Sequence, residues 1–322
     1  ELAYTTLKLY FFANLRIFSV PLTFTLLYSS GFKNAIENLK TIERLSRKDT
    51  DMTALVEAWN VRSYENPNLR LVPTVKEITE LSADLLLEKY EERLGKVDDL
   101  VIAVVGDTRR ETVEDLARRY VGTLAPGPSD ISVNHWPEAI SGVSVRTVET
   151  KSKEADAGFD IWVMNTSEVD EEGRAALSVL EVILRKRLID KLREEMGFSY
   201  IGGEVNFKII EEPESAVDIR IRVIGDPKKI TELHQETISE IEKLSVGGFT
   251  QEEFASAKKI ILKDLDFVRN QDILERLVAW GRSDGQDKTS LSDRRIEISL
   301  LTREKTVDFS RIFLNIDNRI EV

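Results

Sequence analysis

Leucines at 177, 180, 184, 188 and 192 recur at spacings of three and four, which places them on one face of an α-helix and makes that face the buried one. The predicted helix starts at about Val169. Glu168, Asp170, Glu171 and Glu172 stand at its start, and Arg185, Lys186, Arg187, Lys191 and Arg193 gather toward its end, complementing the helix dipole at both termini. Gly197 permits the left-handed conformation that stops a helix. A strand is predicted next, from Ser199 to Ile210. Arg193 near the end of the helix and Tyr200 at the opening of the strand lie seven positions apart. Spacing leaves two readings of this pair. In one, Arg193 offsets the dipole and Tyr200 packs in the core; in the other, the two converge from one edge as a fixed cation and a phenolic donor. Spacing by itself favours the first.

The rest of the chain supplies partners for such a unit. Apolar residues alternate from Phe18 to Leu26, a half-buried strand with Pro21 on its outer face, and Leu7, Leu9 and Phe11 suggest a weaker one before it. Helical spacing takes over at Ile36 to Leu45 and at Leu55 to Trp59. A helix from Ser82 to Leu94 has Ser82 as its N-cap and Gly95 as its stop. Leu100 to Val105 reads as a strand, followed by the Gly106-Asp107 turn and a helix from Glu111 to Tyr120. Only one glycine stands at that turn, so the GxGxxG fingerprint of a dinucleotide site is missing. Beyond it, strands are expected at Ser144 to Thr150, Gly158 to Val163 and Ala216 to Ile224. Helices are expected at Lys228 to Leu244, Gln251 to Val268, Asp272 to Trp280 and Lys288 to Phe313, with Thr250 and Glu253 forming a capping box. Prolines 126, 128 and 137 with Gly127 and Gly142 mark residues 126–142 as a linker. Residues 1–125 and 143–322 are then two domains. The order of Thr79 to Val101 resembles that of Arg303 to Glu321, which suggests that the two are related.

Several chemistries are excluded by composition. The 322 residues carry 45 basic and 57 acidic side chains, a formal net charge of -12, which opposes non-specific nucleic-acid binding. There is no cysteine, so thiol catalysis and disulfides are out. The only histidines, His135 and His234, fall in no local metal-binding spacing, and each is read as structural or surface. The apolar stretch Ile17 to Tyr28 is too short to span a bilayer. Glu211 to Glu214 reads as a solvated hairpin tip. Asn165-Thr166-Ser167 matches a glycosylation sequon, as such triplets often do by chance. The chain begins at Glu1 without methionine, which points to a processed product or a fragment and to a first domain that is partial. Either cytoplasm or periplasm suits it; the compartment stays open.

Three motifs in order carry a family likeness. LREEMGFSY at Leu192 to Tyr200 holds an arginine, a glycine and a tyrosine seven residues after the arginine. GGFTQEEFASAKKIIL runs from Gly247 to Leu262, and LVIAVVGDTRRETVEDLARRYVGTL from Leu100 to Leu124. Together they resemble the pitrilysin/insulinase family of zinc peptidases, the inverzincins, over about residues 76 to 270. The resemblance implies an α+β fold of two related α/β sandwich domains, each a mixed or antiparallel sheet with helices on one face. The HxxEH zinc motif of that family is absent from these residues. What the likeness implies is therefore the non-zinc, substrate-binding half of a zinc metalloendopeptidase, inactive alone. Zinc would be held by an amino-terminal half or a partner subunit bearing HxxEH, and a peptide or small protein would be the substrate. Arg193 and Tyr200 would position that substrate and stabilise the tetrahedral intermediate, and with the family in view this role is favoured over the structural one. Ile201 to Phe207 would pair with an extended substrate. The alternatives are a non-catalytic peptide-binding subunit and an inactive scaffold of the same fold.

Overall fold

A computed structural model describes residues 30–46, 48, 50–63, 71–86, 88, 103–122, 127, 142–149, 157–191, 202–210, 215–267 and 291–322. The expected strands at 7–11 and 18–26, the helix at 272–280, the Glu211 to Glu214 tip, His135 and most of the 126–142 linker lie outside these residues. Contacts divide the chain into two compact units, Glu1–Ile42 with Pro73–Val133 and Val268–Lys288, and Glu43–Val72 with Asn134–Phe267 and Thr289–Val322. Each unit thus draws on more than one stretch of chain.

Helix α1 spans Ser30–Ser46 and α2 spans Thr50–Arg62, on the two stretches of helical spacing. In the first unit, α3 (Val75–Glu80) opens on a full capping box, Thr74 with Glu77, and buries Ile78. Ser82 caps as expected, its hydroxyl accepting from the Leu85 N–H at 3.1 Å. The helix after the Gly-Asp turn is α4, Arg110–Tyr120. Ala103–Val105, expected as strand, pairs with no ladder among the described residues.

The second unit is built on a five-stranded sheet. Its strands are β1 (Val143–Val145), β2 (Ala157–Thr166), β3 (Gly202–Ile210), β4 (Ala216–Gly225) and β5 (Arg319–Glu321), in the order β1-β5-β2-β4-β3. Only β1 and β5 are parallel. Strand alternation sends Phe159, Ile161 and Val163 with Val217, Ile219, Ile221 and Val223 to one face. There they meet α5 (Glu171–Asp190), whose Leu177, Leu180, Leu184 and Leu188 are all buried. Asp170 caps α5, accepting from the Gly173 N–H at 2.7 Å. Around α5 pack α6 (Ile230–Ser245), α7 (Gln251–Asp264), α8 (Leu291–Leu300) and α9 (Arg303–Phe313).

The opposite face is also covered over β2 and β5. Helix α2 lies there with Leu55, Ala58 and Trp59 against Trp162 and Ile320, and the two tryptophans meet edge to face at 5.9 Å. Asp160, fully buried on this face, accepts from Trp162 Nε1 at 2.6 Å and from Arg220 Nε at 2.9 Å. Arg62 of α2 sits 4.8 Å over the Trp162 ring and reaches Asp218 at 2.7 Å.

Three boundaries differ from the sequence reading. The expected helix from Lys288 to Phe313 is two, because Thr302 turns extended and caps α9 by accepting from the Lys305 N–H, while Lys258 Nζ takes the carbonyls of Ser299 and Leu301 at the end of α8. The helix expected to reach Val268 leaves α geometry at Asp264 and finishes as a 3₁₀ turn, Leu265–Phe267. Strand β1 is shorter than expected, since β5, its partner among the described residues, offers three residues. Asn165 is buried, and its amide donates to the carbonyls of Phe313 and Asn315 at 2.7 and 3.2 Å. The sequon therefore serves the core.

Between α6 and α7, Gly247 has φ of +77°, and a Cβ there would come within 2.4 Å of Val307 Cγ1 on α9. Left-handed strain costs a side-chain residue about 1–3 kcal/mol and overpacking adds to it. Gly247→Ala is expected to destabilise the second unit by about 2–4 kcal/mol, read as a lower urea midpoint with an unchanged slope.

Candidate functional site

The site begins where α5 ends, because that end is held from two sides. Successive residues of an α-helix are turned by about 100°, so Arg185 and Arg187 leave α5 in nearly opposite directions. Arg187 forms a fork with Glu253 of α7, Nε to Oε1 at 2.6 Å and Nη2 to Oε2 at 3.0 Å, and donates to the Gly248 carbonyl at 2.7 Å. Its Nη1 lies 3.4 Å from Glu240 of α6. Lys191, one residue past α5, pairs with Glu236 and Glu240 of α6. The Arg187 fork, with hydrogen bonds from Thr250, holds the Glu253 carboxyl at about 2 against the usual 4.5. At Glu240, burial pushes the carboxyl up, but Lys243, Lys191 and Arg187 outweigh it and the net displacement is downward.

On the other side lies the sheet edge. Asp160 and Val322 exchange both backbone hydrogen bonds, at 2.9 and 3.0 Å. Even-numbered residues of β2 therefore turn their backbone groups toward β5, and odd-numbered ones toward β4. Ile161 pairs with Ile221 and Arg222 with Glu204, which carries the alternation across: even residues of β3 bond to β4, and odd ones point outward. Val205, Phe207 and Ile209 thus present their N–H and C=O groups at an edge that no strand pairs among the described residues. Arg185 reaches this edge, Nη2 donating to the Val205 carbonyl at 2.9 Å while it also pairs with Glu181. Burial raises the Glu181 carboxyl, and Arg185 works against that rise.

Arg193 and Tyr200 lie outside the described residues, as does all of Leu192 to Ile201. The structure describes what flanks them: α5 and Lys191 on one side, β3 from Gly202 on the other. His234 donates from Nε2 to Glu321 Oε2 at 2.9 Å and lies edge-on to Phe159 at 5.1 Å, the structural role expected of it. Among the described residues no group of three or more histidines or carboxylates could hold a metal ion, so these residues do not fit a zinc site. No helix among them is long and apolar enough to cross a membrane. Sequence reading missed Arg185 and Arg187 as individuals, having counted them only as charge for the dipole. The signal for Arg187 was Glu253, whose place in a capping box was legible.

The Glu253 carboxyl has a sign that can be tested. Its folded pKa is depressed, so its contribution is fully present above 4.5 and is lost as pH falls through the window from 4.5 to about 2. Discounting for solvent screening leaves about 1–2 kcal/mol. The stability difference between the wild type and Glu253→Gln, which keeps an acceptor but cannot titrate, is expected to be of that size at pH 6. Denaturant titrations at pH 3 should show it shrinking.

Comparison with known proteins fits this architecture. A family model described as the peptidase M16 inactive domain matches residues 80–261. None of the curated proteins searched matches the chain. Among solved structures, a peptidase M16 inactive domain from Pseudomonas fluorescens superposes with a TM-score of 0.74 at 19% identity, over 91% of this chain and 70% of its own. The periplasmic protease PqqL from Escherichia coli gives 0.70 at 15%, over 91% of this chain and 32% of its own. Pitrilysin gives 0.62 at 15%, over 91% and 31%. At these identities the likeness is one of fold, and this chain spans about a third of the two whole proteases. The expected kinship with pitrilysin and the expected α+β fold both hold, and because the family match runs over more than half of its residues, this chain belongs to the family of M16 peptidase inactive domains.

Proposed function

We propose that this chain is the non-zinc, substrate-binding half of a zinc-dependent metalloendopeptidase that cleaves peptides or small proteins. Zinc is carried by an amino-terminal half or a partner subunit with HxxEH, and this chain supplies Arg193 and Tyr200. A cation and a phenol aimed at a scissile carbonyl would orient it and stabilise the oxygen on which negative charge develops. The observation that supports this reading is the outer edge of β3, which no strand pairs among the described residues. The strand that follows Tyr200 in sequence turns its Val205, Phe207 and Ile209 backbones outward, and an extended peptide could add to that edge. The description of the family as an inactive domain also favours a second reading, a peptide-binding subunit with no part in the chemistry.

One pair of variants separates these readings from each other and from a mere scaffold. In the complete enzyme, Arg193→Ala is expected to lower kcat by about 100- to 1,000-fold, as loss of one oxyanion donor does, with an unchanged circular dichroism spectrum. Wild-type turnover in that variant overturns the first reading. Calorimetry on this chain is expected to show peptide binding that weakens in Tyr200→Phe; a scaffold would bind no peptide at all.

A further inference from the structure

We infer that Arg185 is a positioning residue that closes the peptide-pairing edge of β3 at Val205, so that an added strand is confined to Phe207 and Ile209. This rests on the strand-addition reading above and deepens it by fixing where along the edge a peptide can sit.

The argument runs from the backbone outward. Of the outward-facing residues of β3, Val205 has its carbonyl already taken: Arg185 Nη2 lies 2.9 Å from that oxygen. A peptide strand pairing opposite Val205 would need the same oxygen as the acceptor for one of its own N–H groups. The arginine is a surface side chain, 48% exposed, but it is held. It leaves the middle of the last turns of α5, a helix buried along Leu184 and Leu188, and its guanidinium also pairs with Glu181 one turn back, so two partners fix its position. Among the described residues no side chain donates to the carbonyl of Phe207 or Ile209. The edge is therefore divided, closed at Val205 and open beyond it. The closed end is the one nearer Tyr200 in sequence. A peptide that leaves the edge at Val205 is released from backbone pairing there.

The probe is a capped octapeptide of alternating threonine and valine with one lysine at each end, added to the whole chain. Residue-resolved amide hydrogen exchange and calorimetry are the readouts. In the wild type, the peptide is expected to protect the Phe207 and Ile209 amides and leave Val205 exchanging. Arg185→Met keeps the aliphatic stem and removes the donor; protection is expected to spread to Val205, and the peptide to bind about 2- to 10-fold tighter, the worth of one net hydrogen bond. Arg185→Lys, which restores a donor, is expected to return the wild-type pattern. Equal protection of Val205 in wild type and Arg185→Met, with equal affinity, overturns the role of Arg185 while leaving strand addition intact. Absence of protection at Phe207 and Ile209 in every variant overturns strand addition itself. Circular dichroism confirms that each variant is folded before either conclusion is drawn.

Discussion

The second unit depends on one buried stripe. Leu177, Leu180, Leu184 and Leu188 of α5 are between 0 and 4% exposed, and they touch both the sheet and the helices around it. Burying a leucine is worth about 1.5–3 kcal/mol, so the four together contribute about as much as the whole net stability of a typical domain. No surface ion pair approaches that scale. The stripe fixes where α5 lies, and the placement of every charged residue on its last turns follows from it. Arg185 and Arg187 flank the Leu184 and Leu188 positions by helical geometry alone, and so they are delivered to different neighbours, one to the edge of β3 and one to the start of α7.

The end of α5 is firmly held. Arg187, Lys191 and the carboxylates of Glu236, Glu240 and Glu253 bind the helix to α6 and α7. The fork of Arg187 to Glu253 is bidentate and partly buried, the geometry in which an ion pair specifies orientation as well as adding energy. Glu253 serves twice, since the same carboxylate closes the capping box by accepting from the Thr250 N–H at 2.7 Å. The start of α7 and the last turns of α5 are therefore tied to each other through this one side chain.

Much of this was legible in the sequence, and the reason is periodicity. The leucine spacing of α5 and the Thr250 capping box are local patterns that each dictate one structure. What escaped was non-local. The strands at Asp160 and Arg220 were expected, but not which face of them is covered: Asp160 is fully buried because α2, about a hundred residues earlier in the chain, lies over that face of β2. Thr302 escaped for a different reason: with Lys305 at the third helical position it lacks the acidic partner that advertises a capping box. The identity of the edge strand could not be read either. Edge position is a property of sheet order, and the order β1-β5-β2-β4-β3 is set by β5, which arrives from the far end of the chain.

The two faces of β3 and β4 show what that edge is suited to. Inward, Val205 is packed against the helix layer with Phe207 and Ile209 beside it. Outward-facing side chains oppose one another across the pair, Glu204 to Arg222 and Lys208 to Asp218, and Glu204, Asn206 and Lys208 are exposed. Opposite charges directly across a ladder support its register, and a slip by one residue would turn those charges into the core. The register of β3 is thus held from its inner side and from β4, without help from its outer edge. An edge strand in that condition can leave its outward N–H and C=O groups free for another chain, and an exposed row of such groups is ordinarily a liability that proteins cover or charge. Here a charge stands at the edge, Arg185, whose guanidinium donates to the Val205 carbonyl at 2.9 Å.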